Sequence, residues 1–221
     1  MESLFLISIM VDAAFCLPHA ASDHEALFFS GTKCAQVSYK VGEIDQLKIG
    51  PKNIQTLIKT DGTHKFGRVD AIVRVPGFNA DFYVFCGARY LQLTFDTALK
   101  GTSPTPIQDK WKTLAKHGFD RVDAAMVVPG STKNIYFFRG KEWIDVSLDD
   151  KLISYGTIEE SWPSFVEAGF DTVDAILSNN DDTYYVFSRA RYACIRMEKD
   201  KDVLVGPVHH ISKWASLKNW V

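Results

Sequence analysis

The tripeptide Val-Asp-Ala occurs four times, at Val11-Asp12-Ala13, Val69-Asp70-Ala71, Val122-Asp123-Ala124 and Val173-Asp174-Ala175. The aspartates are 58, 53 and 51 residues apart, and 47 residues follow Asp174. Four units of similar size therefore fill the 221-residue chain, with boundaries near residues 1–66, 67–119, 120–170 and 171–221. A unit of this length is one supersecondary module that cannot bury its own faces, so its neighbours must cover it.

Each unit carries the same second signal. The aromatic runs Ala26-Leu27-Phe28-Phe29, Phe82-Tyr83-Val84-Phe85, Ile135-Tyr136-Phe137-Phe138 and Tyr184-Tyr185-Val186-Phe187 are followed by breaks containing Gly31, Gly87, Gly140 and, in the fourth, Arg189. Five residues beyond the last Phe of each run come Cys34, Tyr90, Trp143 and Tyr192, opening further runs such as Tyr90-Leu91-Gln92-Leu93-Thr94-Phe95. Aromatic and β-branched residues alternating around a Gly-bearing turn read as hairpins of half-buried strands.

A third signal is helical. Residues 106–114, 158–165 and 208–217 place apolar side chains three or four apart, with 51–58 as a weaker first copy. Trp111 and Trp162 each precede the next repeat aspartate by twelve residues. The pattern predicts an all-β fold, a four-bladed β-propeller in which each blade ends in a short α-helix. Small Ala13, Ala71, Ala124 and Ala175 suit inner strands crowded around an axis. A pair of two-unit β-rich lobes is the alternative architecture.

Composition narrows the partners. With 25 basic against 27 acidic side chains, the net charge of −2 supplies no field for nucleic acid or an acidic membrane. Cys16, Cys34, Cys86 and Cys194 have no metal-ligand or redox spacing, so free thiols and a cytosolic protein are expected, with a Cys34–Cys194 pair as the alternative. The apolar stretch 4–10 follows an acid rather than a base and is read as part of the fold, not as a signal peptide.

The Val-Asp-Ala strands, the run from Ile135 through Trp143 and the segment Trp162-Pro163-Ser164-Phe165 resemble haemopexin repeats. The ending Trp214-Ala215-Ser216-Leu217-Lys218 is similar to that of the legume seed albumin-2 family, whose members are free-standing haemopexin-fold propellers. The resemblance implies a ligand-binding storage albumin, an axial cation held by main-chain oxygens, association with spermine and haem, and a homodimer. This chain departs from secreted haemopexin domains in having no cysteine pair placed to close the ring at its two ends.

Asp12, Asp70, Asp123 and Asp174 fall at equivalent places, so four carboxylates converge and would repel one another without relief. Either they turn aside to cap backbone N–H groups, or a cation, Ca²⁺ or Na⁺, sits among them. All four are thus candidate metal residues, and Asp12 and Asp123 are candidates for a polyamine such as spermine at the channel mouth. For haem, the possible axial donors are His19, His24, His64, His117, His209 and His210, with the adjacent His209 and His210 at the start of the fourth helix. No GxSxG, HExxH, Walker or GxGxxG motif occurs. The acid pairs Asp149-Asp150, Glu159-Glu160 and Asp181-Asp182 read as turn or helix-start residues. A non-enzymatic albumin is therefore expected. The alternative is a lectin using Phe78-Asn79, Asn134 and the stretch from Asn179 to Asp182 to stack on and hydrogen-bond a glycan. A protease-attached accessory propeller would need a partner that this chain does not supply.

Overall fold

Each Val-Asp-Ala opens a strand of only four residues, which pairs along its full length with the aromatic run of the same unit. The structure, a computed structural model, describes residues 10–18, 24–39, 45–60, 66–95, 99–179, 182–198, 201–217 and 220. Blade one contains β1 (Ala13–Cys16), β2 (His24–Ser30), β3 (Lys33–Tyr39) and β4 (Gln46–Asn53), then α1 (Ile54–Leu57). Blade two contains β5 (Ile58–Thr60), β6 (Ala71–Arg74), β7 (Asp81–Cys86), β8 (Arg89–Phe95), β9 (Leu99–Gly101) and β10 (Thr105–Pro106), then α2 (Ile107–Lys110) and α3 (Lys112–Lys116). Blade three contains β11 (Ala124–Val127), β12 (Asn134–Arg139), β13 (Glu142–Ser147) and β14 (Leu152–Thr157), then α4 (Ile158–Ser161) and α5 (Pro163–Glu167). Blade four contains β15 (Ala175–Ser178), β16 (Thr183–Ser188), β17 (Arg191–Glu198), β18 (Lys201–Leu204) and β19 (His209–His210), then 3-10 turns at Ile211–Lys213 and Ala215–Leu217.

The four sheets run as antiparallel meanders from an inner to an outer strand, and among the described residues only β5 joins its neighbour, β9, in parallel. The inner strands meet in a closed circuit, β1 against β6, β6 against β11, β11 against β15 and β15 against β1. Four apolar clusters fill the interfaces, with Phe28, Phe187 and Trp214 between blades four and one, and Phe15, Phe29 and Phe82 between one and two. Phe85, Trp111 and Phe137 lie between two and three, and Phe138, Trp162 and Phe170 between three and four. The chain is a four-bladed propeller, not two lobes. No helix among the described residues is long and apolar enough to cross a membrane.

The helical readings need correction. The second and third copies each break at their tryptophan, where ψ reaches 68° at Trp111 and 73° at Trp162, leaving two single turns instead of one helix. The fourth copy forms 3-10 turns about Trp214, and residues 51–53 belong to β4. His209 and His210 are not helical. They pair with Tyr192 and Arg191 as β19, because the outer face of β17 still offers ladder groups there. At each break an aspartate from the next blade takes up N–H groups just after the tryptophan, and at Trp162 the following Pro163 also disfavours helical backbone.

Candidate functional site: the two ends of the axial channel

The repeat aspartates mark one end of the ring. Each sits immediately before its inner strand and ties the hairpin of its own blade in two directions. Asp12, Asp70, Asp123 and Asp174 donate their N–H groups to the carbonyls of Phe29, Phe85, Phe138 and Phe187, all at 2.9 Å. Their carboxylates accept from the first residue of the β-turn beyond. Gly31, Gly87 and Gly140 donate to Asp12, Asp70 and Asp123 at 2.6, 2.6 and 2.7 Å, and Arg189 donates to Asp174. That turn residue holds φ between 54° and 55° in every blade, the left-handed region that suits glycine. Of the two arrangements open at the sequence level, side-chain capping of backbone is the one these contacts make.

Charge at this end is only partly compensated. Arg68 pairs with Asp70 at 2.7 Å and Arg121 with Asp123 at 3.3 Å. Among the described residues no such ion pair reaches Asp12 or Asp174. Burial pushes the Asp12 carboxyl above its ordinary range, and Asp70 and Asp174 push it further, against the Gly31 hydrogen bond and Arg68. Burial likewise raises Asp174, with Asp123 adding to it and the Arg189 N–H opposing. The four carboxylates therefore sense one another around the axis. Among the described residues no three His, Cys, Asp or Glu side chains gather in a geometry that would hold a metal ion.

The other end is a cavity of about 270 Å³, walled by the last residues of the inner strands and the loops that leave them. Cys16, Arg74, Met126, Ser178 and Tyr184 line it, Phe78 stands at its rim with 55% of its surface exposed, and none of the four repeat aspartates contributes to its wall. The main-chain oxygen of Ser178 accepts from both Cys16 Sγ and Tyr39 Oη, which fixes the strand end between blades four and one. The four cysteines are free, Cys34 buried and the rest half-buried.

The remaining candidates scatter. His24, His117 and His209 lie against Tyr39, Tyr155 and Tyr192, and His210 caps the turn at Ser212, so the described histidines do not converge and none lines the cavity. His19 and His64 lie outside the described residues. Phe78 and Asn79 share the cavity rim, Asn134 opens β12 and Asn179 is buried. Asn180 and Asp181 are outside the described residues. Glu160 and Thr157 cap α4.

Sequence reasoning missed a second aspartate set. Asp150 of blade three accepts from Lys112 and Thr113 N–H at 3.0 Å each, Asp202 of blade four from Ser164 N–H at 2.8 Å, and Asp45 of blade one from Ala215 and Ser216 N–H at 2.7 Å each. Each reaches back to the turn that closes the preceding blade. The available signal was a hydroxyl residue two places after each tryptophan, Thr113, Ser164 and Ser216.

A closed ring of four antiparallel meanders defines a four-bladed β-propeller. No family model and no curated protein matches the chain. Solved structures do. A 2S albumin seed protein from Dolichos superimposes with a TM-score of 0.84 at 22% identity, over 96% of this chain and 99% of that one. The hemopexin-fold protein of cow pea gives 0.84 at 21% identity over 96% and 98%. An albumin from Cicer arietinum, described as showing hemagglutination, gives 0.83 at 20% identity over 96% and 98%. At such identities the likeness is one of fold.

Proposed function

We propose that this protein is a non-catalytic, ligand-binding propeller of the seed-albumin kind, which takes a small molecule into the wide mouth of its axial channel. The observation that carries this reading is the cavity itself, a concave site of about 270 Å³ where four strand ends and the loops that leave them present both polar and apolar groups. The acids that could suggest catalysis are taken up by structure, Asp150 and Glu160 in helix caps and the repeat aspartates in turns. Thermal unfolding against a panel of spermine, haemin, oligosaccharides and small amphipaths tests the reading. A ligand of this site raises Tm in the parent and not in Asn79→Trp, which obstructs the exposed rim; a panel without effect, or one indifferent to the obstruction, removes the cavity as the site. Haemin is also followed by its Soret band in His209→Ala and His210→Ala.

At the acidic end we place a cation, Ca²⁺ or Na⁺, on main-chain oxygens of the inner strands, with the four carboxylates supplying field rather than ligands. The repulsion that Asp12 feels from Asp70 and Asp174, and Asp174 from Asp123, supports this, and an ammonium group of spermine suits the same field. Stabilisation by Ca²⁺, Na⁺ or spermine should be weakened in the Asp12→Asn, Asp123→Asn double variant; an unchanged response takes the acidic end out of the reading. Sedimentation with and without ligand reads the homodimer that the family resemblance implies.

A lectin is the second reading. Phe78, exposed beside Asn79 at the rim, offers a ring to stack on a sugar and an amide to hydrogen-bond it. Haemagglutination inhibited by free sugar, and lost in Phe78→Ala, supports it.

A further inference from the structure

The wide mouth breaks the fourfold symmetry of the ring at one position. The last residues of the four inner strands are Cys16, Arg74, Val127 and Ser178, equivalent places of which one is charged. Among the described residues lining the cavity, Arg74 is also the single charged side chain, and none of them is an acid. Other arginines near the ring are engaged, Arg68 with Asp70, Arg121 with Asp123, Arg139 with Asp120 and Arg189 with Asp171. Among the described residues Arg74 has no carboxylate partner. Arg74 and Cys16 both line the cavity, and the Arg74 charge opposes the burial that pushes the Cys16 thiol up.

A cavity with this wall is the wrong receptor for a polycation. Phe78, exposed, and Val127, Val128 and Pro129, half-buried, give the cavity an apolar side that gains by being covered, while the guanidinium fork matches a carboxylate with two parallel donors. We propose that this mouth binds an amphipathic carboxylate, its apolar body against Phe78, Val127, Val128 and Pro129 and its head group on Arg74. The inference rests on the ligand-binding reading above and names the ligand class of that same site. About 270 Å³ limits the body to a short aliphatic chain or a single aromatic ring system.

Isothermal titration with three molecules of one shape separates the contributions: octanoate, octanol and octylammonium. Octanoate should bind the parent about tenfold tighter than octanol, the scale of one charge-assisted contact in a half-enclosed site, and octylammonium more weakly than either. Arg74→Gln should bring octanoate down to the level of octanol and leave octanol unchanged. Arg74→Glu should reverse the order in favour of octylammonium. Arg74 is exposed, so these variants test charge and not folding. Octanol binding that Asn79→Trp abolishes, with no preference for octanoate or no response to Arg74→Gln, overturns the carboxylate inference and keeps the cavity as a site. Failure of all three molecules to bind the parent overturns both.

Discussion

Arg189 occupies a turn position that glycine holds in the other three blades, at φ 55° with its N–H committed to Asp174. A side chain in the left-handed region costs about 1 kcal/mol, and the exposed contact of Arg189 with Asp171 offsets little of it. Arg189→Gly should therefore raise the urea midpoint by an amount equivalent to about 0.5–1 kcal/mol; a lower midpoint would show that the Asp171 contact outweighs the backbone strain. Asp145 stores a different cost. It is buried in β13, its Oδ1 has no hydrogen-bond partner among the described residues, and burial pushes its carboxyl up to about 6 against the pull of Asn134. Between pH 4 and 6, on the order of the ordinary and folded values, the native chain keeps a proton that the unfolded chain has released, so this group's contribution to stability falls as pH rises through that window. Asp145→Asn should stabilise the protein at pH 7.5, by at most about 3 kcal/mol, and change little at pH 4. Equal shifts at both pH values would separate the gain from ionisation.

Hairpins were legible in the sequence because every contact that defines them is local. The aspartate, the last Phe of the aromatic run and the turn residue lie within about twenty residues, and the turn residue follows that Phe by two positions in each blade. The helical copies were half legible. Their apolar spacing is real, but Asp150, Asp202 and Asp45 meet them from 38, 38 and 170 residues away, and no periodicity reports a cap supplied by another blade. The cavity was invisible for the same reason, since Cys16, Arg74, Val127 and Ser178 become neighbours only when the ring closes. Asp202 is the most enclosed of the three caps, with both Asp202 and its partner Ser164 buried. Asp202→Ala leaves the Ser164 N–H and hydroxyl unsatisfied, so a loss of about 2–3 kcal/mol is expected by chemical denaturation. A loss below about 0.5 kcal/mol would mean that water replaces the carboxylate and the clamp is dispensable.

Closure of the ring distinguishes the seam between blades four and one from the other three. Those three are bridged by the continuous chain, whereas this one joins segments from opposite ends of the sequence and carries no disulfide. Its polar ties are the Asp45 carboxylate on Ala215 and Ser216, Lys33 Nζ on the Trp220 carbonyl at 3.4 Å, and Cys16 and Tyr39 on Ser178. Its apolar tie is Trp214, packed at 5.0 Å from Phe28 and 5.4 Å from Tyr39, ring centre to ring centre. Removing Asp45 and Asp150 deletes chemically equivalent caps, each accepting two backbone N–H groups, but at seams of different connectivity. If seam four–one is where the ring first opens, Asp45→Ala should speed native-state amide exchange in β1 to β3 and residues 211–217 while β12 and β13 keep their protection, a subglobal opening. Asp150→Ala should instead lower stability by a similar amount, about 1–3 kcal/mol, without a locally accelerated segment, because the chain that links blades two and three limits their separation. Uniform acceleration in Asp45→Ala, or local opening in both variants, would show that the four seams are equivalent and that chain connectivity does not decide where this propeller yields.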